Sequence, residues 1–350
     1  MLYNIQSLRA LAALMVVMFH FGGIWTGLGV PPGTGPFLTG GVDIFFVVSG
    51  FIMVHMTRRG HTTPWQFLVN RTCRIVPLYW FFTLLAFAAA AAAPQFFRST
   101  QADYAELWKS LLFIPYMKGS GNIQPVLFVG WTLNYEMFFY LIFAISLTIH
   151  SAITRVSFTA GILLLLIVAG LLLTLPSPAW IFYTRPLIAE FALGMLIATI
   201  LYTRPLQGCP AGVAAAITAF GAGLLVLTHV FWPDAERLFV AGFPAALLVL
   251  GALLLEKSGW AIKAPLAKLL GDASYAIYLL HPFMALGIEK VSLRHIPTGG
   301  GSVTIAALIG LLIGSIVLIS AAGIVTHWLI ETPLIRVARA LLDRRRPARA

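Results

Sequence analysis

SFTAGILLLLIVAGLLLTL, residues 157–175, contains no charged side chain. A helix that crosses a bilayer needs about 20 largely apolar residues, and this stretch has only three hydroxyl side chains, Ser157, Thr159 and Thr174, among apolar ones. The same ruler, applied outward along the chain, marks ten candidate segments with soft ends: residues 6–24, 38–57, 75–93, 128–149, 157–175, 183–202, 212–232, 237–255, 272–290 and 303–330. Of the 350 residues, 59% are hydrophobic and 10% charged, whereas a soluble globular chain is about 45–50% apolar and about 25% charged. The polar residues that would coat a water-facing surface are missing, which excludes an ordinary cytosolic enzyme. The expectation is an all-α integral membrane protein, a bundle of about ten transmembrane helices filling residues 1–335, followed by a basic cytoplasmic tail at 336–350.

The net charge of +11 comes from 23 Lys and Arg against 12 Asp and Glu, and its distribution points to a membrane rather than to nucleic acid. With the N-terminus inside and Arg9 set aside, the inner loops and tail hold 15 of these cations and the outer loops 7. An even number of spans and this positive-inside bias place both termini in the cytoplasm, as expected of a bacterial inner-membrane protein. The last residues, RRRPARA at 344–350, read as a stop against anionic lipid. The first apolar run carries Arg9 and His20 and lacks a small-residue cleavage site, so it reads as a retained helix. Cys73 and Cys209, the two cysteines, offer neither a disulfide framework nor metal spacing. The longest outer connection, 94–127, contains an amphipathic segment from Tyr104 to Ile114 that suits the membrane surface or the cover of a cavity.

Charged groups inside a span cost at least ~2.5–3.5 kcal/mol each, so the informative residues are Arg9, His20, Asp43, Glu136, Glu190 and His281. Helix one runs outward, and His20 lies eleven positions beyond Arg9, three turns and ~16 Å along the same face. Asp43 near the start of the second segment falls toward the outside, and Trp131, Asn134 and Glu136 near the start of the fourth fall in the outer half or near the midplane. His20, Asp43 and Glu136 are therefore expected at similar depth. Arg71 and Arg74 flank the start of the third segment near the depth of Arg9, and three guanidiniums at one level suit a polyanion. A cationic inner mouth and a His-carboxylate centre half a membrane apart fit a long ligand with phosphates at one end, the shape of a coenzyme A thioester. Plainer readings stand beside these. Arginines at helix ends snorkel to the interface, Asp43 is placed to cap a helix, and His281 suits a helix-to-helix hydrogen bond.

The residues SLRALAALMVVMFH (7–20), GVDIFFVVSGFIM (41–53), NRTCRIVPLYW (70–80), GWTLNYEMFFY (130–140) and LGDASYAIYLLHPF (270–283) occur in that order. Together they resemble acyltransferase family 3, the integral-membrane O-acyltransferases of surface polysaccharides, and the standalone form is similar to exopolysaccharide-modifying acetyltransferases. The resemblance implies that His20 is the essential histidine, that Arg71 and Arg74 go with the acyl-CoA, and that Glu136 is the acidic residue of the W-x-L-x-x-E motif. It implies acetyl-CoA or another acyl-CoA as donor, with no metal. The acceptor it implies is a polysaccharide or lipid-linked glycan. His20 would deprotonate a sugar hydroxyl, with Asp43 or Glu136 orienting its ring; an acyl-His intermediate is the alternative order of events. Trp131, Asn134 and Tyr135 are candidates for substrate contact by proximity. The rival classes are a proton-coupled carrier and a flippase for lipid-linked glycan. The crowding of motif residues into the first 140 positions, with no matching spacing in the second half, weighs against a carrier built from two related halves.

Overall fold

A computed structural model describes residues 2–30, 36–58, 62–96, 101–203, 208–292 and 302–343. The 344–350 stop signal, and Arg59, Arg98, Arg204 and Arg294 of the charge tally, lie outside the described residues. In chain order the helices are α1 (Tyr3–Phe19), α2 (Gly22–Gly27), α3 (Gly40–Thr57), α4 (Pro64–Ala92), α5 (Tyr104–Leu111), α6 (Trp131–Ser146), α7 (Ala152–Leu172), α8 (Pro178–Tyr183), α9 (Ala189–Thr203), α10 (Ala211–Phe231), α11 (Phe243–Lys257), α12 (Pro265–Ser292), α13 (Ser302–Thr326) and α14 (Thr332–Asp343). Among the described residues there is no strand, apart from one isolated antiparallel bridge between Met117 and Ile123.

Seven helical stretches are long and apolar enough to cross a membrane, against the ten marked in the sequence. Tyr3–Phe19 and Pro186–Tyr202 are apolar but shorter, and the 28-residue α12 is diluted by Lys268, Asp272, Ser274 and His281. The boundaries differ most at α4, which begins at Pro64 instead of residue 75. Thr63 and Gln66 form a reciprocal capping box, with Pro64 in the first turn. These groups satisfy the orphan N–H groups of a helix start, which a search for apolar residues alone passes over. Arg71 and Arg74 consequently sit well inside a helix. The residues read as a tail from 336 begin inside α14.

The chain divides into two compact units, one made of Met1–Ile52 with Leu193–His327 and the other of Met53–Ala192 with Trp328–Ala350. In the first, α1 packs along α12, α12 on α13, and α10 on α11. Small residues let these backbones approach, as membrane helices require when lipid offers no hydrophobic drive. A Cβ on Gly271 would lie 2.3 Å from the Gln6 carbonyl oxygen, and one on Gly41 would lie 2.4 Å from that of Ala12. Phe21, Ile24, Ile277, Leu308 and Ile319 fill the space around the α1–α12–α13 packing. In the second unit α4 lies against α5, α6 and α14, and α6 against α7. An aromatic ladder through Phe67, Tyr140, Phe143, Phe139 and Phe191 binds that unit together.

The 101–127 connection belongs to the second unit. Asp103 caps α5 by accepting from the Glu106 N–H, and Ser110 ties the segment together. Its hydroxyl donates to the Glu106 carbonyl at 2.7 Å and accepts from the Val126 N–H at 2.9 Å, while its own carbonyl takes the Tyr79 hydroxyl of α4 at 3.1 Å. Lys118 is 4% exposed here. Burial pushes its ammonium down, opposed by the charge of Glu106, whose carboxyl burial pushes up.

Candidate active site

In the first unit, helix α1 carries Arg9 and His20, and α12 meets both. The carboxylate of Glu256 on α11 accepts the Tyr3 and Asn4 backbone N–H groups at 2.9 and 2.8 Å, so the start of α1 is capped from a neighbouring helix. One turn on, Arg9 Nη1 donates to Gln6 Oε1 at 3.1 Å and Nη2 to Ser274 Oγ at 3.0 Å. Gln6 in turn donates to Asp272 at 2.9 Å. Arg9 is thus held by a polar frame rather than left to snorkel. Ser274 and His281 are seven residues apart on α12, two turns and therefore one face, and the pairings Gln6–Asp272, Arg9–Ser274 and His20–His281 run in the same direction along α1 and α12.

His20 stands at the C-terminal cap of α1. Its Nδ1 lies 2.8 Å from the Val16 carbonyl oxygen, and the Trp25 indole donates to the Met18 carbonyl at 2.8 Å. Two of the carbonyls that a helix end leaves over are satisfied by these side chains. A carbonyl oxygen can only accept, so Nδ1 is assigned the hydrogen and the lone pair of neutral His20 falls on Nε2. The ring beside it is that of His281, which is fully buried. His281 Nε2 is 3.3 Å from His20 Nδ1, with ring centroids 4.8 Å apart.

Asp43 is fully buried, with both oxygens on one guanidinium: Arg237 Nε reaches Oδ1 at 3.0 Å and Nη2 reaches Oδ2 at 2.6 Å. Arg237 Nη2 also donates to the Thr39 carbonyl at 3.1 Å.

In the second unit, Arg71 lies on α4 with its guanidinium carbon 5.7 Å from the Phe67 ring centroid and 5.8 Å from that of Tyr140, within range of cation–π attraction. Its Nη2 donates to Met56 Sδ at 2.9 Å. The Tyr140 hydroxyl donates to Glu136 Oε1, one turn back on α6. Arg71 and Glu136 are therefore separated by a single tyrosine ring, closer than the two-level reading of the sequence places them. Arg74, one turn beyond Arg71, is half-buried. Trp131, Asn134 and Tyr135 occupy the first turn of α6. Tyr135 is fully buried, stacked on Phe182 at 4.1 Å and donating to its carbonyl at 2.6 Å. Asn134 is 2% exposed, and its Oδ1 has no hydrogen-bond partner among the described residues.

A histidine with an assigned basic nitrogen at the end of an apolar helix, and arginines held in place at several points, suit acyl transfer from an anionic donor. The sequence profile of the acyltransferase domain matches residues 2–322. The chain belongs to acyltransferase family 3. Among its relatives, the exopolysaccharide production protein ExoZ of Rhizobium meliloti is 37% identical over 301 residues, covering 86% of this chain and 90% of that protein. The putative membrane-bound transacylase BcsY of Komagataeibacter xylinus is 28% identical, over 79% of this chain and 71% of its own length. The peptidoglycan O-acetyltransferase OatA of Listeria monocytogenes is 27% identical over 156 residues, 40% of this chain and 23% of its own. No solved structure matches. Family membership, with the apolar helices, makes the chain a membrane acyltransferase rather than a carrier.

Sequence reasoning missed Arg237 as the partner of Asp43; it read His281 as suited to a helix-to-helix hydrogen bond but did not find its partner, His20. The two pairs are 194 and 261 positions apart.

Proposed function

We propose that this acyltransferase moves an acyl group, acetyl in the simplest case, from acyl-CoA to a hydroxyl of a surface or exopolysaccharide sugar carried on a lipid-linked intermediate. The observation that carries the reading is the assigned state of His20, with hydrogen on Nδ1 and lone pair on Nε2, in a family whose members transfer acyl groups. Neutral His20 is the general base. Its Nε2 takes the proton of the acceptor hydroxyl as the oxygen attacks the thioester carbonyl, and then returns that proton to the thiolate sulfur of the leaving coenzyme. The negative end of the α1 dipole faces the imidazolium formed in between and offsets part of its charge.

Arg9, Arg71 and Arg74 bind the phosphates of the donor, where planar guanidiniums give paired contacts that an ammonium does not. Asp43, held by Arg237 in the first unit, and Glu136, held by Tyr140 in the second, are each read as a functional acidic group. Trp131 and Asn134 contact the acceptor, with Tyr135 anchoring their turn of α6. The ten-span arrangement is retained by adding α1, the Pro186–Thr203 stretch and α12 to the seven long apolar stretches. It puts both termini in the cytoplasm of a bacterial cell and makes the first and ninth spans parallel. The matching direction of α1 and α12 supports this. The homology to ExoZ supports an exopolysaccharide acceptor.

The test is incubation of purified protein with radiolabelled acetyl-CoA and lipid-linked glycan. Alkali-labile label on the glycan is the expected result. Label absent from the glycan across acetyl-, propionyl- and succinyl-CoA refutes the proposed donor.

A further inference from the structure

His281 has no part in the roles assigned above, although it is fully buried and its Nε2 lies 3.3 Å from His20 Nδ1. The tautomer of His20 decides what that contact is. Because Nδ1 faces the Val16 carbonyl oxygen at 2.8 Å, it carries a hydrogen, and a ring nitrogen set against an N–H must offer a lone pair. Neutral His281 therefore keeps its own hydrogen on Nδ1. The opposite assignment would set two N–H groups against each other.

We propose that His281 is the positioning residue of His20, its Nε2 lone pair serving as second acceptor for the His20 Nδ1–H alongside the Val16 carbonyl. This is the part that a carboxylate plays in a catalytic triad, where it fixes the tautomer and stabilises the imidazolium. The inference rests on the reading of His20 as base. In the step itself the acceptor O–H bond breaks, its proton goes to His20 Nε2, and the new C–O bond forms at the thioester carbonyl carbon. The C–S bond then breaks, and the proton leaves Nε2 for sulfur. The Nδ1–H stays on His20 throughout, and its bond to His281 strengthens while the ring is charged.

A neutral imidazole is suited to this place. A carboxylate buried in a span must recover its own desolvation cost from a partner, as Asp43 does from Arg237, and a carboxylate so occupied has less to give His20. The register of α12 sets the acceptor in position, since the face that presents Ser274 to Arg9 presents His281 to His20 two turns later.

The test compares His281→Leu, His281→Gln and His20→Ala in the full-length protein in nanodiscs, measuring kcat and KM for acetyl-CoA. His281→Leu keeps bulk but has no acceptor, and its kcat should fall ~10–10²-fold, the rate equivalent of one hydrogen bond to a charged group, with KM little changed. The amide oxygen of His281→Gln reaches the place of Nε2 and should restore most of the lost rate. A leucine variant with wild-type kcat, or a glutamine variant as slow as leucine, overturns the proposal. Should His281→Leu fail to fold, ring 15N shifts of His20 in the wild type decide: hydrogen on Nδ1 supports the proposal and hydrogen on Nε2 overturns it. Activity in His20→Ala removes the base reading and this inference together. Inactivity there with full activity in His281→Leu removes the inference alone.

Discussion

Replacing Arg237 by alanine should be among the most destabilising single changes in the first unit. Asp43 is fully buried and its two oxygens are bonded by this guanidinium at 3.0 and 2.6 Å, so removing the arginine strands a carboxylate in an apolar span. Breaking a buried pair from one side costs about 3–5 kcal/mol. The Arg237 side chain is 31% exposed, so water reaches part of the gap and lowers the figure to about 3 kcal/mol, roughly two decades in the folded-to-unfolded ratio. Asp43→Asn with Arg237→Ala removes the stranded charge as well and should recover more than half of that loss. Denaturation of the purified protein in mixed micelles, titrated with SDS and followed by tryptophan fluorescence, measures both. A single variant within about 1 kcal/mol of wild type, or a double variant no better than the single, would show that the Asp43 charge is not stabilised by Arg237.

The remaining predictions concern donor binding, packing and topology. Arg71→Ala and Arg74→Ala should each raise KM for acetyl-CoA by ~10-fold or more, with Arg→Lys recovering only part because paired phosphate contacts are lost; steady-state kinetics with unchanged KM returns these residues to interface snorkelling. Gly271→Ala places a Cβ 2.3 Å from the Gln6 carbonyl oxygen. Helices α1 and α12 must then part, with a loss of ~1–3 kcal/mol measurable by the same SDS titration and a lowered kcat through the displaced His20. In a Cys209→Ser background, Ser120→Cys should label with a membrane-impermeant maleimide from outside intact cells and His150→Cys only after the membrane is opened. The reverse pattern inverts the topology.

Local signals carried far in this chain. The offset of eleven positions from Arg9 to His20 sets both along α1, with His20 as its C-terminal cap, and both meet α12. The amphipathic pattern after residue 103 forms α5, and the long apolar runs are helices. What the sequence left out follows from the range of the interactions. The cap on the start of α1 comes from Glu256, some 250 positions away, and Arg237 counted in the charge tally as an ordinary outer cation until the fold set it on Asp43. The apolar ruler also misjudged α4, whose first turns are polar and are held by Thr63 and Gln66. The ruler marks residues 272–290, yet the full α12 is not among the seven long apolar stretches, because that helix carries the polar groups that meet Arg9 and His20. Hydropathy finds long apolar helices well, and it is least informative on helices that carry buried polar contacts, such as α1 and α12.

Single-turnover transfer by His20→Ala bears most directly on the whole account. Protein reconstituted in proteoliposomes is mixed with radiolabelled acetyl-CoA and lipid-linked glycan, and the first turnover is followed so that product release does not mask the chemical step. Loss of the base predicts a rate lower by ~10²–10⁴-fold, with acetyl-CoA affinity retained because Arg9, Arg71 and Arg74 are untouched. A His20→Ala enzyme that acetylates the glycan at the wild-type rate contradicts the account at its centre.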